Sequence, residues 1–148
     1  MDTLKVQKVD SFAMIPFKAH ESDAGFDLFA CPEEVGLGQE VVIQSGSRFL
    51  ISTGIRVAVP SGYYGRVAAR SGLSVKGVDV GAGVVDSGYR GVLKVLLINN
   101  TGHNLLVKHG DKIAQLVLEK ISPISKAELV ESLDETDRGD GGFGSTGG

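Results

Sequence analysis

"GIRVAVP", residues Gly54 to Pro60, is a short stretch whose alternation decides the fold class. Ile55, Val57 and Val59 recur at every second position, with Arg56 between them. A period of two puts the branched side chains on one face of an extended chain and the arginine on the other. Gly54 and Pro60 punctuate the run at both ends. The same pattern continues outward through "YYGRVAAR" (63–70), "GVLKVLLINN" (91–100), "NLLVKHGDKIAQLVLEKI" (104–121) and "KAELVESL" (126–133), all read as strands. Leu93 to Ile98 is apolar apart from Lys94, as expected of a strand buried on both faces. "SGS", "PSGYYG", "DSGYRG", "NNTGHN" and "KHGDK" supply turns at short intervals. "ARSGLSVKG" (69–77) has room for one short helical turn. With no sustained helical periodicity, the expectation is an all-β sandwich or barrel.

At 148 residues the chain reads as one domain with its own core. Lys plus Arg is 15 and Asp plus Glu is 18, a net charge of −3 that argues against a nucleic-acid or membrane-surface binder. Cys31 is the sole cysteine, which excludes an intrachain disulfide and points to a reducing compartment. Neither a leader-like N-terminus nor an apolar run of about 18 residues is present, so the expectation is a soluble intracellular protein. From residue 137 the apolar pattern gives way to "DRGDGGFGSTGG", in which six of the last ten residues are glycine. The division is therefore a β domain over 1–136 and a flexible arm over 137–148. A plain linker has no use for Phe143, and this segment also holds Arg138, Ser145 and Thr146.

Searches for familiar catalytic centres narrow the chemistry. His20, His103 and His109 each stand in a polar turn-like context, and there is no CxxC, HxE or paired histidine for zinc. There is no GxSxG elbow, and no lysine precedes Ser145–Thr146 as a Walker A loop demands. Carboxylates, arginines and glycine-rich turns remain. "DAGFDLFA" puts Asp27 near Gly25 at the start of a strand, where a turn aspartate is the plain reading. Arg70, Ser71 and Gly72 follow a strand and combine a guanidinium, a hydroxyl and exposed N–H groups, as a phosphate nest or a solvated loop does. "GAGVVDSGYRG" has the shape of a β-hairpin with Ser87–Gly88 at its turn, Asp86 and Tyr89 at its tip, and glycines at 81 and 83 admitting a ligand to the backbone. "GDKIAQL" buries Gln115 in an apolar strand, where a lone glutamine usually satisfies a backbone group.

Taken in order, "AGFDL", "RSGL", "GAGVVDSGYRG", "GDKIAQL" and "RGDGGFGSTG" resemble the five motifs of the trimeric dUTPase family, over about residues 23 to 148. The resemblance implies a jelly-roll-like β-barrel subunit of a homotrimer, with active sites at subunit junctions. It implies Mg²⁺-dependent hydrolysis of dUTP to dUMP and pyrophosphate, which removes dUTP from the nucleotide pool and supplies dUMP for thymidylate synthesis. It implies a location in the cytoplasm or nucleus, or in the host cell for a viral protein. Asp86 resembles the general base that directs a water at the α-phosphorus. Asp27 resembles the carboxylate that reaches Mg²⁺ through water. Arg70, Ser71, Gly72 and Gln115 resemble the phosphate site. By the same resemblance the C-terminal arm closes over the nucleotide, Arg138, Ser145 and Thr146 clamping the γ-phosphate, Gly144 lying in the contact and Phe143 covering the uracil.

Hydrogen-bond polarity then accounts for base choice. Backbone near Gly83 offers a donor to O4 and an acceptor to N3–H of uracil, and cytosine presents the reverse at both positions. Tyr89 is expected to fill the volume of a ribose 2′-OH, because an apolar pocket alone rejects an added hydroxyl by only about 10². Lys94 matches a position near the nucleotide. The sequence departs from the family pattern at Gly88, usually acidic, and at Ala69, often proline; the first removes a charge near Asp86 and is expected to loosen the hairpin. The rivals are a dCTP deaminase, disfavoured by the Asp86–Tyr89 spacing and the phenylalanine-containing arm, and a non-catalytic nucleotide sensor, disfavoured by the intact Asp86.

Overall fold

The computed structural model describes residues 3–144. Its strands are β1 (Lys5–Lys8), β2 (Gly25–Phe29), β3 (Glu40–Ile43), β4 (Arg48–Ser52), β5 (Ile55–Ala58) and β6 (Tyr63–Ala68), then β7 (Val78–Gly81), β8 (Val84–Val85), β9 (Lys94–Asn99), β10 (Leu105–Lys108) and β11 (Lys112–Lys120). A single helix, α1 (Ser71–Lys76), interrupts them and ends at Gly77, whose φ of 100° gives the left-handed C-cap that glycine tolerates best. The expected helical turn is there.

Alternation does what the sequence demands of it. In β5, Ile55 and Val57 are buried while Arg56 is exposed. In β9 the inner face carries Val95, Leu97 and Asn99, all buried, but Leu96 and Ile98 on the other face are only half-buried. The two-sided burial expected of this strand is thus one-sided within a single chain. β9 is nonetheless central, lying between β4 and β7. The sheets are β1-β5, β10-β3, β2-β11-β6-β8 and β4-β9-β7, every pair antiparallel. They close in a jelly-roll-like arrangement around one core that includes Leu28, Ile51, Val95, Ala114 and Leu116, each fully buried. A buried leucine or isoleucine contributes roughly 1.5–3 kcal/mol. Asn99, buried with Ser52 and Thr53, donates Nδ2 to the Ile43 and His103 carbonyls at 2.8 Å and accepts from the Thr101 N–H through Oδ1.

Two strand readings are corrected. "KAELVESL" forms no strand: residues 121–144 have no ladder, and Leu129 and Leu133 are 99% and 83% exposed. Its alternation finds no partner edge among the described residues. The hairpin at 81–91 is likewise a turn without a ladder. β8 pairs with β6, whereas β9, after the turn, pairs with β4 and β7; the chain thus returns across the turn to the sheet it had left after β7, at Ala82–Gly83. Both residues have positive φ, 54° and 103°. No helix among the described residues is long and apolar enough to cross a membrane.

Candidate active site

Three elements converge at one end of the largest sheet. Asp27 on β2 and Gln115 on β11 are register partners, and Gln115 is also opposite Ala68, near the end of β6. Gly25 makes room for the glutamine, since a Cβ there would stand 2.6 Å from Gln115 Oε1. Gln115 is half-buried rather than buried, and its Nε2 donates to the Ala69 carbonyl at 3.0 Å, the backbone role expected of a lone glutamine. That bond fixes the path of the chain into Arg70, the N-cap residue of α1, and hence into Ser71 and Gly72, both exposed. Arg70 Nε lies 3.4 Å from Asp27 Oδ1, and Lys112 Nζ lies 3.6 Å from Asp27 Oδ2. A cavity of about 340 Å³ is lined by Asp27, Arg70, Ser71, Gly72 and Gln115, with Asp23, Ala24 and Gly25 completing it. The four residues expected of a phosphate site and Asp27, expected to reach Mg²⁺ through water, are therefore brought together. Asp23 and Lys112 are additions that sequence spacing did not single out.

A second cavity, about 280 Å³, holds the other group. Gly83, Asp86, Tyr89 and Lys94 all line it, against Leu50, Val67, Val85 and Leu93. Its polar rim is the turn at Asp86, closed by the Tyr89 N–H donating to the Asp86 carbonyl at 3.1 Å. Arg90 Nη1 staples the same turn through the Ser87 and Tyr89 carbonyls at 2.6 and 3.0 Å. Gly88 has no atom within 4 Å of where a Cβ would be, so the missing acidic side chain leaves no hole and the turn is held without it. Tyr89 Oη donates to the Val92 carbonyl at 3.0 Å, and its ring occupies the space that a side chain at Gly91 would need. The glycines at 81 and 83 serve the protein's own packing. A Cβ at Gly81 would meet Leu96, and one at Gly83 would stand 2.7 Å from the Val67 carbonyl oxygen. The Gly83 carbonyl already accepts from the Val67 N–H at 2.7 Å.

The two groups sit at opposite ends of β6. Gly65 is opposite Val85, which puts Asp86 level with Tyr64. Arg70 lies six residues further along, about 20 Å at the rise of an extended chain. Between them, the Tyr64 hydroxyl donates to Glu119 Oε2 at 2.5 Å and Arg66 Nε to Oε1 at 2.8 Å. These two donors hold the Glu119 carboxyl below the usual range, and the bond to Glu119 raises the tyrosine.

The described arm residues join neither cavity. Arg138 Nε turns back to the Gly141 carbonyl at 2.7 Å, and Phe143 is fully exposed with φ 50°. Gly144 is exposed with φ 78°, and Ser145 and Thr146 lie outside the described residues.

Comparison with known proteins identifies this arrangement. The family model described as dUTPase matches residues 12–147. The deoxyuridine 5′-triphosphate nucleotidohydrolase of Eremothecium gossypii is 47% identical over 146 residues, covering 98% of this chain and 91% of its own. That of Paramecium bursaria Chlorella virus 1 is 46% identical over 148 residues, covering 99% of both chains. Among solved structures, the Staphylococcus bacteriophage 80alpha dUTPase with dUPNHPP has a TM-score of 0.81 at 28% identity, over 98% of both chains. A dUTPase from phage phi11 of S. aureus, solved with a view to its structural Mg(II) ion, has a TM-score of 0.78 at 27% identity, over 90% of this chain and 100% of its own.

Proposed function

The chain belongs to the dUTPase family and hydrolyses dUTP to dUMP and pyrophosphate, and we propose that it does so in a site that different copies of the chain build together. One observation carries the proposal: Asp86 and Arg70 stand at opposite ends of β6. A general base must reach its proton directly or through one water. Asp86 therefore cannot serve the phosphates held at Arg70, Ser71 and Gly72 of its own chain. A homotrimer resolves this, the nucleoside half coming from one subunit and the phosphate half from a neighbour. The exposed Leu129 and Leu133, on a segment with strand-like alternation and no partner edge among the described residues, support such an assembly.

In this reading the uracil and deoxyribose enter the cavity of Gly83, Asp86, Tyr89 and Lys94. The Tyr89 ring, held by its own hydroxyl, walls the sugar against a 2′-OH. Asp86, exposed at the turn, orients a water and takes its proton as the oxygen attacks the α-phosphorus in line, with pyrophosphate leaving. Arg70, the Ser71 hydroxyl and backbone N–H groups, and Gln115 hold the phosphate oxygens. The residues present fit Mg²⁺ carried in on the substrate. Among the described residues no three potential ligands cluster into a cage, and the cavity offers only the Asp27 and Asp23 carboxylates, as suits an ion that keeps most of its waters and takes its other ligands from the phosphates. Bound there, Mg²⁺ supplies neutralisation of the charge on the phosphates. Arg138, Phe143, Gly144, Ser145 and Thr146 form the arm that closes over the nucleotide and excludes bulk water.

Incubation with dUTP or dCTP and Mg²⁺ tests the reading. Pyrophosphate from dUTP alone is the expected result; ammonia from dCTP would make the protein a deaminase, and neither product a nucleotide sensor.

A further inference from the structure

The position of Lys112 is set by an irregularity in β11. Gln115 is opposite Asp27 and Ala114 opposite Leu28, but Lys112 is opposite Phe29, so the ladder slips between Lys112 and Ala114. In a regular strand, residues three apart lie on opposite faces. The bulge at Ile113 undoes this and turns Lys112 onto the face that carries Asp27 and Gln115. Bulges recur beside active sites for this re-aiming of a side chain. The result is an Asp27 carboxylate with a cation at each oxygen, Arg70 at 3.4 Å and Lys112 at 3.6 Å. Arg70 is held there only by Nε, and neither of its terminal nitrogens has a hydrogen-bond partner among the described residues. Arg70 also lines the phosphate cavity, whereas Lys112 does not; Lys112 lines the neighbouring cavity on the far side of Arg70.

From this geometry we propose that Lys112 is a positioning residue of the phosphate site: it keeps the Asp27 carboxylate paired and in place when Arg70 turns to the phosphate chain. The inference rests on Arg70 being a phosphate ligand. Without Lys112, Asp27 has Arg70 as its sole cation, and each approach of Arg70 to a phosphate leaves a half-buried carboxylate unpaired. The guanidinium is then withheld from the nucleotide.

The experiment measures binding of dUpNHpp with Mg²⁺, and of dUMP, to the full-length protein by calorimetry. Lys112→Met is expected to weaken dUpNHpp about tenfold and dUMP less than twofold, and Lys112→Arg to restore binding. Because Lys112 acts through Asp27, the same Lys112→Met change in an Asp27→Asn background is expected to cost less than twofold, a non-additivity that a general packing defect does not produce. An equal loss in both backgrounds, or no loss in either, overturns the proposal. Arg70→Gln is measured alongside. If it leaves dUpNHpp binding intact, the phosphate-site reading itself has failed; if it abolishes binding while Lys112→Met does not, the role of Lys112 alone has failed.

Discussion

At the scale of single residues, the side chains proposed for the chemistry have spare surroundings. Asp86 is exposed and anchored only through its backbone turn, so Asp86→Asn is expected to leave folding and nucleotide binding intact while turnover falls roughly 10²–10⁴-fold. Steady-state pyrophosphate release beside a binding isotherm checks it, and near-normal turnover would remove Asp86 from the chemistry. Tyr89→Ala is expected to narrow the preference for dUTP over UTP, read as the ratio of kcat/KM values, because the ring is what fills the space beside Gly91. Cys31 has no such part. Burial, with Asp10 beside it, pushes its thiol up to about 11, so few native thiols ionise near neutrality, and a thiol reagent at pH 8 is expected to label the unfolded chain far faster than the folded one. The motif residues were legible in the sequence through the order of the five motifs rather than singly, since a carboxylate at a turn is ordinary and a lone glutamine in an apolar strand usually serves the backbone. Lys112 was not, since a bulge is invisible in a pattern of alternation.

At the scale of elements, β5, β6, β9, β10 and β11 followed from alternation and turn residues, whereas β1, β3, β4 and β7, short runs without so clear a pattern, did not, and no strand's partners did. "GAGVVDSGYRG" has the composition of a hairpin, yet β8 before its turn pairs with β6 and β9 after it pairs with β4 and β7. Local sequence specifies a turn, while pairing depends on edges brought up from elsewhere in the chain. The same limit explains 126–133, whose alternation implies a strand and finds no partner edge among the described residues. Gly83 itself is fixed by two constraints, φ of 103° and the Val67 carbonyl 2.7 Å from the site of a Cβ. Gly83→Ala is therefore expected to destabilise the fold by about 1–3 kcal/mol, measured by denaturant unfolding. The Tyr64–Glu119–Arg66 link ties β6 to β11 and carries a pH signature. Glu119 is held below its ordinary carboxyl range, so its contribution is present above the unfolded-state value and is lost as pH falls through the folded one. The stability gap between the wild type and Glu119→Gln should be widest near neutrality and close in acid.

At the scale of the whole molecule, the proposed roles of the arm and of the assembly are open to direct test. A chain ending at Thr136 keeps every described strand, the last of which ends at Lys120, and loses Arg138 and Phe143, neither of which lines the two site cavities. Its unfolding midpoint is expected to stay near that of the full chain while dUTP turnover collapses, since ordering the arm costs about 1 kcal/mol or more per residue and needs the full triphosphate to offset it. Full activity in the shortened protein would leave the arm without a role. The central claim, that the halves of one site come from different copies, is tested most directly by complementation. Asp86→Asn and Arg70→Gln subunits, each inactive alone, are unfolded, mixed in equal amounts and reassembled, and dUTP hydrolysis is measured. Random assembly of a shared site predicts recovery at about a quarter of the sites, where an intact Asp86 half meets an intact Arg70 half. A mixture that reassembles and stays as inactive as its components would show that each chain carries its own complete site, and would contradict the account.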